Sequence, residues 1–287
     1  MKRGMLLAGI CLACMFQTMK GLNFGGVEYT VNPDGRTVTV GDNKNYSGSA
    51  DLVISGDFST DGRSYTVTAI SDDAFRDNTQ ITSVSIAKTI TSIGRMAFRA
   101  CPSLKSVTME KGVGSIGFAA FYQCSSLASV TIPGSVASID SLAFQVCSSL
   151  KSVTIEEGVT SIGAYAFNSC SSLTSITIPG SVTTIERSAF NSCTSLTSVI
   201  MKEGVTSIAY QVFYDNPSLV SVTIPNSVRS IGDLAFAECP KLKDVYLNWD
   251  DPAGRTVADN PFIDGTKPKD CKIHIPKGSE EKYGWKS

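Results

Sequence analysis

Few residues in this 287-residue chain are equipped for chemistry. There is one histidine, His274, so zinc sites and acid/base pairs that need two imidazoles are excluded. It stands in Ile-His-Ile-Pro and reads as a half-exposed, structurally satisfied side chain. Glu156 and Glu157 are adjacent. At a strand end such neighbours point apart, which is wrong for two carboxylates sharing one substrate. The serine pairs Ser125-Ser126 and Ser148-Ser149 have no base at hand and read as solvated turns. No glycine-rich phosphate loop follows a strand. No enzyme activity, cofactor or metal is therefore expected.

Nine cysteines look at first like a disulfide or redox framework. Cys101, Cys124, Cys147, Cys170, Cys193 and Cys239, however, each lie three residues after a phenylalanine, and Asn78 and Asn216 fill the same place elsewhere. Exchange of Cys with Asn argues for one shared job, a small group packed under a turn beside backbone polar groups. Stacked neighbours would hold their β-carbons about 4.8 Å apart, too far for the ~3.8 Å of a disulfide. Free buried thiols are expected. No role is assigned to Cys271.

The spacing comes from an internal repeat. Phe75, Phe98, Phe121, Phe144, Phe167, Phe190, Phe213 and Phe236 follow one another every 23 residues, all but Phe213 preceded by alanine. Six residues after each comes Leu or Ile, nine after comes Val or Ile, and five before stands Ile. A Leu-x-x-Leu-x-Leu pattern at a period of 20–29 is that of leucine-rich repeats. The Val-x-Ile alternation predicts a short strand with one buried face, paired in parallel with its neighbours. The Ala-Phe segment, for example residues 140–144, is expected to return as a helical or 3₁₀ turn. Each ring should lie over the previous one, and Gln145, beside Phe144, should be exposed. One unit cannot bury its own face, so the units must stack.

The stretch Ser172–Phe190 followed by Asn191-Ser192-Cys193 resembles the repeat of BspA-like bacterial surface proteins, I-P-x-x-V-x-x-I-x-x-x-A-F-x-x-C. The resemblance covers about residues 65–250 and extends to the flanks. It implies an α/β solenoid: a right-handed coil with a parallel β-sheet on one face, short helical or 3₁₀ segments on the other, and a β-rich N-terminal cap. It also implies a surface protein that adheres to host or neighbouring-cell components. A longer 46-residue period is visible too, because Ile-Pro-Gly-Ser-Val units (132–136, 178–182) alternate with Glu-Gly units such as Ile155–Val159.

The expected organisation is a signal peptide at 1–20, a β cap at 21–68, eight repeats at 69–248 and a C-terminal cap at 249–287. Lys2 and Arg3 followed by the apolar run to Phe16 have the shape of a secretory signal. Ala13-Cys14 resembles a degenerate lipoprotein acylation site, with Cys11 where Leu is usual; plain secretion is favoured. No later stretch is long and apolar enough for a membrane helix. In the cap, strands at 27–31 and 36–40 should flank Asn32-Pro33-Asp34-Gly35, and Leu52–Ile54 and Tyr65–Val67 a second turn at Asp61-Gly62. Lys272–Ile275 should be a last strand, and Gly278 should start a helical turn.

With 25 basic and 26 acidic residues, bulk charge gives no case for nucleic acid. What remains is surface. Outward strand positions form columns that include Ser129, Ser152, Ser175 and, beside them, Thr131, Thr154 and Thr177. The adjoining rim carries Glu110, Lys111, Glu156, Glu157, Lys202 and Glu203, read as solvated. On the opposite side Phe118, Tyr122, Tyr165, Tyr210 and Tyr214 are either anchors or padding between turns, padding being favoured. The expected function is secreted or surface-attached recognition of another extracellular protein by a monomer. Glycan binding and a spacer role are the alternatives.

Overall fold

The computed structural model describes residues 21–258, 261 and 271–277. The expectations for residues 1–20 and for a turn from Gly278 lie outside them. The chain opens with β1 (Gly21–Phe24), β2 (Val27–Val31), β3 (Thr37–Val40), β4 (Asp51–Ile54), β5 (Asp57–Thr60) and β6 (Arg63–Ile70). Then a four-residue and a two-residue strand alternate. They are β7 (Ser83–Ile86), β8 (Ser92–Ile93), β9 (Ser106–Met109), β10 (Ser115–Ile116), β11 (Ser129–Ile132), β12 (Ser138–Ile139), β13 (Ser152–Ile155) and β14 (Ser161–Ile162). There follow β15 (Ser175–Ile178), β16 (Thr184–Ile185), β17 (Ser198–Met201), β18 (Ser207–Ile208), β19 (Ser221–Ile224), β20 (Ser230–Ile231), β21 (Asp244–Leu247), β22 (Thr256–Val257) and β23 (Lys272–His274). Together they form a parallel-sheet solenoid of about eight turns.

Two expectations are corrected. The second side of the coil carries no helix among the described residues; it is itself a sheet. The two-residue strands pair in parallel from β6 through β22, in a 13-stranded sheet that also takes in β1, β2, β3 and β5. The Ala-Phe segments are linked turns. In every repeat the residues two before and two after the Phe have positive φ, for example Leu142 (64°) and Val146 (61°) around Phe144. An α-helix or 3₁₀ run requires consecutive negative φ values. The N–H groups also point along the solenoid: Leu142, Phe144 and Val146 donate to the carbonyls of Ala164, Ala166 and Asn168 at 2.8–2.9 Å. Donors used between turns are lost to a helix.

The cap is corrected as well. The first hairpin, β2–β3, forms across Asn32–Gly35 as expected. The second joins β5 to β6 across Asp61-Gly62, whereas Leu52–Ile54 lies in β4, which pairs in parallel with β7. Part of the segment expected to be cap is thus the first rung of the four-residue-strand ladder. At the other end β23 pairs with β21. Trp249 is buried there, its Nε1–H donating to Pro225 O at 3.1 Å, and Arg255 lies over its ring.

The core is a column of rings. The eight phenylalanines are buried and stack with centroids 5.1–5.6 Å apart and planes within 9° of parallel. Beside them runs the cysteine column. Each of its six thiols donates to the carbonyl of the Phe one turn back, at 3.1–3.3 Å, and Asn216 Nδ2 does the same to Phe190 O at 3.0 Å. Asn78 donates to Tyr46 O. The six cysteines of the column are free and buried, and Cys271 is buried too. Gln145 is half-buried rather than exposed. Its amide donates to Asn168 Oδ1 at 2.8 Å, and Asn168 in turn to Asn191 Oδ1, so the residue after each Phe can join a polar ladder.

Desolvation pushes the thiols of Cys147, Cys193 and Cys239 up to about 12, from an ordinary 9.0. The native chain at pH 8 should leave these thiols unmodified by an aromatic disulfide reagent, and denaturation should release them all. Fast native labelling of the column would contradict its burial. Ionisation favours the unfolded chain here. The contribution is complete below pH 9 and is lost as pH rises toward 12.

Candidate functional site

Each four-residue strand buries its second and fourth residues and turns the first and third outward. In-register pairing aligns the outward residues in two rows. The first runs Asp51, Ser83, Ser106, Ser129, Ser152. After a break in the ladder it resumes as Ser175, Ser198, Ser221, Asp244, Lys272. The second row contains Thr131 and Thr154 before the break, then Thr177, Ile200, Thr223, Tyr246, His274. The six Ser and Thr residues singled out from the sequence are all exposed, four on one side of the break and two on the other.

The rows change character toward the C-terminal end. From β7 to Thr177 the strands present only Ser and Thr outward, while β4 before them presents Asp51 and Val53, the latter 62% exposed. Beyond Thr177, Ile200 is 49% exposed and Tyr246 40%, and Val220, at the entry to β19, is 38%. Tyr246 stacks on the His274 ring (centroids 4.4 Å, 15°), and His274 Nε2 lies 2.7 Å from Asp244 Oδ1. Ile200 and Tyr246 thus stand two rungs apart in one row with Thr223 between them, and the Tyr246–His274 stack has the Asp244 carboxylate beside it. Ile200 breaks the Thr column in the sequence itself. Tyr246 and His274 were not recognisable as neighbours, because the period lapses between them.

The rim is bonded, not merely solvated. Glu110 accepts from Lys88 N–H and Glu156 from Gly134 N–H, both at 3.2 Å, each reaching one turn back. Glu157 reaches one turn forward, accepting from Ser181 and Gly180 N–H. Those bonds, Ser181's first, hold its carboxyl below the ordinary 4.5. Lys202 lies 3.5 Å from Glu157 and Lys111 3.8 Å from Glu156.

On the turn side, Arg99 lies over Tyr122, Arg187 over Tyr165 and Arg95 over Phe118, at 5.3–5.4 Å. These aromatics pad neighbouring turns. Tyr214 is half-buried; desolvation, and then the charges of Glu238 and Asp215, push its hydroxyl up. Tyr210 is the exposed member of the set. Among the described residues no group of three or more His, Cys, Asp or Glu is placed to hold a metal, and no helix is long and apolar enough to cross a membrane.

No curated protein sequence matches the chain. Among solved structures, it is similar to a leucine rich cell surface protein from Faecalibacterium prausnitzii, with 25% identity, a TM-score of 0.51, and 92% of this chain and 97% of that one covered. The T. pallidum leucine rich repeat protein (24%, TM-score 0.55, covering 78% and 91%) and the pneumococcal vaccine antigen PcpA (17%, 0.57, 92% and 95%) share the fold. Likenesses below 25% identity show the fold alone, and no catalytic family is indicated. The family model of the BspA type leucine rich repeat region matches residues 68–182 and 160–252, in six copies. The chain belongs to the BspA type leucine-rich-repeat family.

Proposed function

We propose that this is a non-enzymatic adhesion module, displayed outside a bacterial cell, that binds another protein through the outward face of its four-residue strands. The observation that carries the reading is the exposure of Ile200, Val220 and Tyr246 on the C-terminal strands of a face whose middle strands present only Ser and Thr. Exposed aliphatic and aromatic side chains surrounded by polar groups are the usual anchors of protein interfaces. The export signal read at residues 1–20 and the likeness to a cell surface protein support the location. A second reading, glycan binding, is favoured by the Tyr246–His274 stack beside the Asp244 carboxylate.

Purified extracellular matrix and epithelial surface proteins, and a glycan array, would be probed with the wild type, Ile200→Asp/Tyr246→Ala and Tyr210→Ala. Specific binding to a protein is expected, weakened at least tenfold in the double variant and unchanged in Tyr210→Ala. Retention by glycans alone would replace the protein ligand. Binding lost only in Tyr210→Ala would move the site to the turn side. No retention by either would leave the spacer role in its place.

A further inference from the structure

The joints between successive turns are of two kinds; the first, β4–β7, is fully paired, and from β7 onward the two kinds alternate. At β7–β9, β11–β13, β15–β17 and β19–β21 all four residues of the strand are paired. At β9–β11 two are paired, at β17–β19 three, and at β13–β15 none, so the ladder divides into two five-stranded sheets. The last joint, β21–β23, has three.

One residue type accounts for the difference. At the fully paired joints the residue after the incoming strand donates its N–H to the end of the previous strand: Glu110 to Ile86 O, Glu156 to Ile132 O, Lys202 to Ile178 O, Asn248 to Ile224 O, at 2.9–3.0 Å. At the weakened joints that residue is Pro133, Pro179 or Pro225, and Pro276 follows β23. Proline has no N–H to give. At β13–β15 the N–H at the head of the strand is drawn out as well: Thr174 reaches Lys151 O at 3.4 Å, against 2.9 Å for Lys151 to Ala128 O, whereas Val220 at the Pro225 joint keeps 2.8 Å to Thr197 O.

The core registers the gap at two of the three proline joints, while Val199 and Met201, on the strand facing Pro225, stay at 1% and 2% exposure. Val153 and Ile155, on the strand that faces Pro179, are 8% and 7% exposed, and Val107 and Met109, facing Pro133, 6% and 9%. Val130 and Ile132, on the strand between them, are 3% and 0%. At two proline joints a glutamate and a serine side chain together bridge the rim, where the fully paired joints β7–β9 and β11–β13 have a single glutamate bond beside their backbone ladder. Glu157 accepts from Gly180 and Ser181, Ser181 Oγ accepts from Gly158 N–H, and Glu203 and Ser227 repeat the arrangement with Asn226 and Gly204.

We infer that the mechanical unit of this solenoid is a pair of turns, 46 residues long, and that the proline joints are hinges, those at β13–β15 and β17–β19 clamped by the glutamate side chains Glu157 and Glu203. The 46-residue period of the sequence is then the period of the hinges. Opening at β13–β15 tilts the platform β15–β23, which carries Ile200 and Tyr246, against the platform β4–β13. The inference concerns the free chain and does not depend on what that face binds.

Native-state amide exchange followed by NMR tests it without a ligand. Amides directed into the β13–β15 joint should exchange at least tenfold faster than those directed into β11–β13. Glu157→Ala, which removes the clamp, should speed exchange at β13–β15 about fivefold and leave β11–β13 unchanged. Pro179→Ala restores a donor of the kind Ala87 provides toward Ile54 O, and should slow exchange at that joint by a similar factor. Equal protection at the two joints of the wild type, or a Glu157→Ala effect spread evenly over all joints, would overturn the hinge.

Discussion

Replacing Phe144 by alanine is expected to cost about 3–5 kcal/mol, the usual range for deleting a buried ring from a core that cannot collapse onto the space. The ring is wholly buried between Phe121 at 5.1 Å and Phe167 at 5.3 Å, both nearly parallel to it. The backbone around it cannot close the gap, since Leu142, Phe144 and Val146 are each bonded to the following turn. In a solenoid each turn is stabilised by its two neighbours, so loss at a central ring weakens two interfaces. Ser129→Ala, on an exposed strand position, should cost under about 0.5 kcal/mol. Chemical denaturation of the two variants beside the wild type measures both. A cost at Phe144 near that of Ser129 would mean that the rings do not form a rigid column.

The ring column, the cysteine column and the four-residue strands were legible because each is a side-chain identity repeated at a fixed interval. The second sheet was not. Its strands are two residues long, Ser-Ile or Thr-Ile, too short for an inside–outside alternation to be seen. The helical turn was the wrong expectation for a related reason. Side chains of the Ala-Phe segment suggest one buried face, but what excludes a helix is the left-handed backbone at positions as varied as Leu142, Tyr165 and Glu238, which no residue type announces. For the candidate site, the rows of Ser and Thr could be read off, and their local significance could not. Tyr246 meets His274 only because β23 re-enters the ladder in register after the period has lapsed. The rim carboxylates were legible as charges but not as partners, since their donors are backbone N–H groups one turn away.

Gly204→Ala is the second large effect. Its φ is +119°, and an added Cβ would fall well inside contact distance of Gly180 O, a backbone atom with nowhere to go. Gly158 repeats the situation against Gly134 O, with φ of +116°. Both lie at fully paired joints, where backbone meets backbone across the turns. Two terms therefore add: about 1–3 kcal/mol for holding alanine in a conformation it avoids, and about 1–3 kcal/mol for overpacking. Gly35→Ala separates them, because Gly35 also has positive φ (+67°) but nothing within 4 Å of the new methyl. It should cost about 1 kcal/mol, the left-handed penalty reduced by the lower entropy of the unfolded chain. Denaturation midpoints for the pair give the difference directly. If Gly204→Ala were no worse than Gly35→Ala, the close backbone approach at the β15–β17 joint would be absent, and with it the contrast between clamped and backbone-packed joints.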